Sequence, residues 1–194
     1  MRRLRMLSVL LLAAACTADD SAPTSPASLQ EPNPEIQDAA HNGGVAGFYF
    51  LPPLVEQPRT SGTFDATRST VVYVCSLGGS LSSPPAAACT APGVRTSDPV
   101  VDVNGQHYHS NWQIDRTTFP PGSYYRICVL DQSLAEWGHA DVYLGGTGAE
   151  FKHIDRSEFV PLLDGRTLPI KYRIETGATP RAGSTACGSE SVPL

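Results

Sequence analysis

Short runs rich in Val, Ile, Tyr and Phe recur along this chain between clusters of Gly, Pro, Asp and Ser, and none sustains the period of an amphipathic helix. A chain punctuated this way must bury its apolar residues by alternation, one side of each short strand facing inward. The runs predict strands over 46–51, 62–64, 70–75, 99–103, 106–114, 123–130, 137–144, 150–154, 159–162 and 167–174. Strands this short and closely spaced, with no crossover helices between them, predict an all-β fold. The expected architecture is an antiparallel β-sandwich, immunoglobulin-like or similar, over residues 44–177.

Two segments fix faces. Asn104-Gly105 favours the positive φ angles of a two-residue type I′ turn. The hairpin it centres sets Val103 opposite Gln106, Asp102 opposite His107 and Val101 opposite Tyr108. Alternation then assigns Val101, Val103, Tyr108, Trp112 and Ile114 to the core. Asp102, His107, His109, Asn111 and Gln113 go to the wet face. In the last run, Leu168, Ile170, Tyr172 and Ile174 face inward and Lys171, Arg173 and Glu175 outward. Pro169, which has no N–H to give a ladder, sets the start of that strand at an edge. Between them, Gly138, Ala140, Val142 and Leu144 share one face, with Trp137, His139, Asp141 and Tyr143 on the other.

The N-terminus reads as an export signal. Arg2, Arg3 and Arg5 precede an apolar run from Met6 to Leu12 and the small trio Ala13-Ala14-Ala15. That run is too short to cross a bilayer, which takes roughly 20 residues. Leu11-Leu12-Ala13-Ala14-Ala15-Cys16 resembles the lipobox of bacterial lipoproteins, which implies residues 1–15 as signal peptide and Cys16 as the lipid anchor. An ordinary cut after Ala15 or Ala18 is the alternative. Residues 16–43 are Ala-, Ser-, Pro- and acid-rich without apolar period, and predict a flexible tether. Residues 178–194 predict a disordered tail. Thr17 after the cysteine goes with outer-membrane sorting in lipoprotein families, so the expected location is the cell envelope of an exporting bacterium.

Loss of the leader removes three arginines and no acid, taking the formal charge from −5 to −8. A chain this acidic, with Lys152 and Lys171 as its lysines, is a poor partner for nucleic acid. Apart from Cys16, the cysteines are Cys75, Cys89, Cys128 and Cys187, an even count that suits disulfides in an exported chain. Cys75 ends an apolar run and Cys89 closes the loose stretch after it, so Cys75 with Cys89 is the favoured bridge. The pairing of Cys128 and Cys187 stays open, with Cys187 free as an alternative.

Three stretches carry a resemblance. They are Gly47-Phe48-Tyr49-Phe50-Leu51-Pro52-Pro53 leading into Ser61-Gly62-Thr63-Phe64-Asp65, then Tyr125-Arg126-Ile127 with Ala140-Asp141-Val142, and Asp164-Gly165-Arg166-Thr167-Leu168-Pro169-Ile170-Lys171-Tyr172-Arg173-Ile174-Glu175. Together they resemble a β-rich module of unassigned function in predicted bacterial lipoproteins and in envelope proteins carrying immunoglobulin-like repeats. The resemblance covers about 44–177 and implies a surface module. It carries no catalytic residues with it.

Chemistry is sparse. His107 and His109 project from one strand face about 7 Å apart, a spacing some metal sites use, with Asp102, His139 or Asp141 as a conceivable third ligand. Polar surface is the competing reading, and no metal or other cofactor is assigned. The stripe Asp102, His107, His109, Asn111 and the stripe Trp137, His139 suit a glycan or peptide surface. Asp131, Asp141, Glu150, Asp155, Glu158 and Asp164 could supply a hydrolase pair, but any exported β domain has as many acids. Gly145-Gly146-Thr147-Gly148 lacks the Gly-Lys-Ser/Thr of a phosphate loop and reads as a turn. The expected function is a non-catalytic, lipid-anchored envelope module for binding, adhesion or scaffolding, with an envelope protein or glycan as ligand. The alternative is a secreted carbohydrate-active or metal-dependent enzyme using the His107/His109 face.

Overall fold

A computed structural model describes residues 36–156 and 159–187. Its strands are β1 (Ile36–Gln37), β2 (Phe48–Phe50), β3 (Thr70–Gly78), β4 (Val94–Arg95), β5 (Val100–Asp102), β6 (His107–Gln113), β7 (Ser123–Asp131), β8 (Glu136–Gly145), β9 (Val160–Leu163) and β10 (Thr167–Ile174). They form a β-sandwich. One sheet runs β1-β8-β7-β3-β4 with β9 also on β8, and the other β2-β10-β6-β5. Pairing is antiparallel except between β8 and β9. Among the described residues no helix is long and apolar enough to cross a membrane. The segment expected as a signal peptide, Cys16 and most of the expected tether lie outside the described residues.

The core between the sheets follows alternation. Phe48 and Phe50 of β2, Tyr108 and Trp112 of β6, and Leu168, Ile170, Tyr172 and Ile174 of β10 meet Val72 and Val74 of β3, Tyr125, Ile127 and Val129 of β7, and Ala140, Val142 and Leu144 of β8. Pro169 pairs with Asn111 on β6, while β2 covers β10 only from Tyr172 to Ile174, so the missing N–H falls beyond the end of β2. The hairpin pairs Val101 with Tyr108 and Asp102 with His107, as the register predicts. Its turn differs: the left-handed residue is Gln106 at φ 54°, and neither Asn104 nor Gly105 has positive φ. The Asp102 carboxylate accepts the Gly105 N–H at 2.8 Å, which holds the turn from the side chain instead. Val103, assigned to the core, lies at the tip and is 65 % exposed.

The six-stranded sheet departs from a wet outer face. β8 is buried along its whole length, and Val71, Tyr73, Cys75, Cys128 and Leu130 form a second cluster on the outer side. The covering layer comes from segments assigned to tether, loop and tail. Asp38, expected in the tether, is fully buried. Its carboxylate accepts the N–H groups of Ala40, His41 and Phe50, a turn chemistry that composition conceals. At the other end Arg181 pairs through its backbone with Glu136, and Cys187 bonds to Cys128. The folded body therefore extends beyond 44–177 to include 36–43 and 178–187. Residues 188–194 lie outside the described residues. The bridge between Cys75 and Cys89 forms as expected.

Three further expectations fail for local reasons. Residues 62–64 form no strand, only an isolated bridge of Phe64 with Glu175, because Gly62 is tied to the Glu175 and Arg173 side chains instead of a ladder. Residues 150–154 form a 3₁₀ turn over Glu150–His153 in place of a strand. The Glu150 carboxylate accepts the Thr147 N–H and hydroxyl and the Tyr143 hydroxyl, which curls the chain. A register shift at Val129/Leu130 makes Trp137 a bulge residue and turns it into the core, where it stacks on Phe48. Gly138 follows for a steric reason: a Cβ there would collide with the Gln37 carbonyl of β1 and the Phe48 ring.

Candidate functional site

The outer face of the four-stranded sheet stays open along β6 but is covered at the end of β10, where Arg173 and Glu175, expected outward, are buried against the loop at Gly62. A cleft of about 490 Å³ opens between the chain after β2, the β5–β6 turn and β10. Its lining includes the Lys171 ammonium, the Arg173 guanidinium and the His107 imidazole, with the polar groups of Gln57, Thr60, Asn104 and Gln106. Leu51 and Pro52 supply the apolar edge, and no carboxylate lines it.

Arg173 is the built element of this cleft. Its side chain is 9 % exposed, donating from Nη1 to the Gln106 side-chain oxygen at 2.8 Å and from Nη2 to the Gly62 carbonyl at 2.8 Å. Glu175 stands 3.6 Å from its Nε, which is buried without a hydrogen bond among the described residues. The guanidinium also sits over the Phe64 ring at 5.5 Å. Glu175 in turn accepts the Gly62 N–H at 2.8 Å. A Cβ at position 62 would come within 2.5 Å of that carboxylate, so only glycine lets the loop approach. Lys171, two residues away on the same face, makes no ion pair among the described residues and leaves its ammonium for the cleft.

The sequence-predicted residues divide. Asp102, His107, His109 and Asn111 do share the outer face of the hairpin, with the two imidazoles 6.0 Å apart. His107 lies 4.0 Å from Asp102, and of these four residues it alone lines the cleft. The Gly105 amide, opposed by a little desolvation and helped by both imidazoles, holds the Asp102 carboxyl below its ordinary range. Among the described residues no third ligand joins His107 and His109 at metal-binding spacing. Trp137 and His139 belong to the other sheet, so the two stripes do not adjoin. Trp137 is core, and His139, 3 % exposed, bonds through Nδ1 to Glu136 at 2.6 Å. The two corrections have different causes: the bulge turns Trp137 into the core, and the terminal segment covers His139 on a face that alternation alone leaves wet.

The carboxylates expected as a hydrolase pool are spent on structure. Asp141 binds Arg126, Glu150 holds its own turn, Asp131 accepts turn N–H groups of Ser133 and Ala135, and Asp164 meets Arg116. Glu158 lies outside the described residues. Sequence reasoning placed Lys171 and Arg173 on an outer face without naming them as a site. Gln57 and Thr60 come from an irregular connection that carries no periodic signal. Comparisons with protein-family models, curated proteins and solved structures find no match.

Proposed function

We propose that the chain is a non-catalytic module of the bacterial cell envelope, lipid-anchored at Cys16, that captures an acidic saccharide in the cleft over β10. The observation that carries this reading is the cleft lining: Lys171 without an ion pair among the described residues, Arg173 braced by Gln106 and Gly62 with Glu175 behind its Nε, an imidazole, amides and a hydroxyl. Cations of this kind grip a uronate or sulfate by charge-assisted hydrogen bonds, while amides and hydroxyls orient sugar hydroxyls. Fixed bracing of Arg173 by Gln106 and Gly62 limits the ordering cost of binding. An enzymatic role for His107 and His109 finds less support, since only His107 reaches the cleft and its nearest acid, Asp102, stands outside the lining.

On an array of matched neutral and uronate- or sulfate-bearing glycans, the full chain is expected to bind the acidic set only, with affinity falling as salt rises. Lys171→Glu is expected to weaken that binding at least about tenfold, the worth of one charge-assisted contact. Equal binding to neutral glycans, or none to either set, overturns the reading. The anchor has its own check: Cys16→Ser moves the protein from the membrane pellet to the soluble fraction, and unchanged pelleting removes Cys16 as anchor.

A further inference from the structure

The outer face of the six-stranded sheet carries a second cluster that the glycan cleft does not use. Cys128 on β7 is 1 % exposed, and its partner Cys187, in the terminal segment, is only half-buried. The Cys187 sulfur, a ring nitrogen of His139 and a carboxylate oxygen of Glu136 lie within 4.8 Å of one another. The β8 bulge brings Glu136 and His139, three residues apart, onto one face, and Nδ1 meets the carboxylate at 2.6 Å. Ser184 gives its hydroxyl to the same carboxylate. Burial pushes the Glu136 carboxyl up, but the hydrogen bond and charge of His139, with the Ser184 hydroxyl, outweigh it and hold the group below its ordinary range.

Stability does not explain this couple. A buried ion pair rarely outperforms apolar residues of the same volume, and a staple needs no imidazole beside its sulfur. What an imidazole held by a carboxylate does beside sulfur is stabilise a thiolate. The other charged groups facing the bond are committed elsewhere. Arg126 of β7 is neutralised by Asp141 of β8, and the Arg181 guanidinium binds Gln37 and the Gly43 carbonyl. His139 also lines a cleft of about 430 Å³ under residues 181–186, the segment leading to Cys187.

We propose that Cys128–Cys187 is a thiol–disulfide exchange site for the dithiol or disulfide of another exported protein, with Cys187 as the entry sulfur and Cys128 as the resolving one. A partner thiolate attacks the Cys187 sulfur, forming a mixed disulfide and expelling Cys128 as a thiolate that takes up a proton. The partner's second thiolate then attacks its own sulfur in the mixed disulfide and expels Cys187 as a thiolate, which pairs with the His139 imidazolium. The partner loses two electrons and becomes a disulfide; Cys128 and Cys187 gain them, with one proton on the Cys128 thiol and one shared between the Cys187 sulfur and His139. In reverse, Cys187 attacks a partner disulfide and Cys128 closes the native bond. Cys75–Cys89 holds its loop on the sheet, and its sulfurs lie within 4.8 Å of the Cys128 sulfur, so the order in which the two bonds open is the decisive readout.

The test uses the full chain. In Cys128→Ser, which leaves Cys187 as a free thiol, alkylation by iodoacetamide from pH 5 to 10 is expected to report a thiolate forming below the ordinary value of about 8.5. Adding His139→Gln is expected to return it to that value and slow the reaction at pH 7 about tenfold. In the unsubstituted chain, one equivalent of dithiothreitol followed by alkylation and mass mapping is expected to label Cys128 and Cys187 before Cys75 and Cys89. An ordinary Cys187 profile unaffected by His139→Gln overturns the proposal. So does opening of Cys75–Cys89 first or in step, a readout that holds even where a substituted chain does not fold.

Discussion

Replacing Asp141 with alanine is expected to cost about 3–5 kcal/mol, a large share of what holds a domain of this size together. Asp141 receives Arg126 in a two-pronged bond, Nε to Oδ1 at 2.6 Å and Nη2 to Oδ2 at 2.8 Å, with the two side chains 3 % and 2 % exposed. The remaining nitrogen, Nη1, donates to the carbonyls of Ala87 in the β3–β4 loop and Ala186 in the terminal segment. Without the carboxylate, a guanidinium that cannot lose its proton stays buried and unpaired. The two segments it ties down lose their common anchor. Chemical denaturation should show the loss as a lower midpoint at unchanged slope, and a thermal melt as a drop on the order of 10 °C. The double variant Arg126→Met/Asp141→Leu should recover most of it, because it removes the orphaned charge along with the pair. A loss under 1 kcal/mol for Asp141→Ala would mean that water reaches the pair and the covering layer does not seal it.

The same ion pair shows what the sequence could and could not tell. Arg126 and Asp141 stand in the two halves of one of the stretches that carry the resemblance, yet nothing in either half says that they face each other across β7 and β8. Strands with one wet face, β6 and β10, were legible because polar and apolar residues alternate in step with the pleat. Tyr108, Trp112, Ile170 and Tyr172 fell where expected for that reason. β3, β7 and β8 are covered on both sides, so Tyr73, Cys128 and His139 face a second interior that alternation reads as solvent. That second interior is made by distant chain, Cys187 reaching Cys128 across 59 residues, and no local pattern encodes such a contact. Trp137 was misplaced by a single bulge, which shifts face by one position without leaving a mark in composition. Of the cleft, alternation delivered His107, Lys171 and Arg173 to one face. The loop carrying Gln57 and Thr60 reaches them only because Arg173 and Glu175 bind Gly62, a tertiary event.

Buried phenols give the second large effect, an alkaline limit between about pH 10 and 12. Burial in the core pushes the Tyr125 hydroxyl up to about 12 while it donates to the Pro120 carbonyl at 2.7 Å. Burial, then the hydrogen bond and charge of Glu150, raise Tyr143 to about 12. Tyr172 is raised further by burial, although its 2.5 Å contact with the Thr70 hydroxyl works the other way. Tyr108, stacked on Tyr172 at 5.4 Å, is raised by burial as well. In the unfolded chain these phenols ionise near 10. The sign follows: above pH 10 the unfolded chain has released protons that the folded chain still holds, so stability falls with pH until the folded values are passed. Below pH 10 their contribution is intact. Each such group withdraws stability across the window, and several acting together remove a large share of what a domain of this size has. Absorbance at 295 nm is therefore expected to rise in two stages, a gradual one for the accessible phenols and a steep one coincident with loss of near-ultraviolet circular dichroism between pH 11 and 12. A single smooth rise of all seven tyrosines near pH 10, with the dichroism intact, would show that solvent already reaches the hydroxyls of Tyr125, Tyr143 and Tyr172. The packing that seals Tyr125 and Tyr172 between the two sheets, and Tyr143 in a separate cluster with Tyr124 and Phe159, would then be looser than these contacts require.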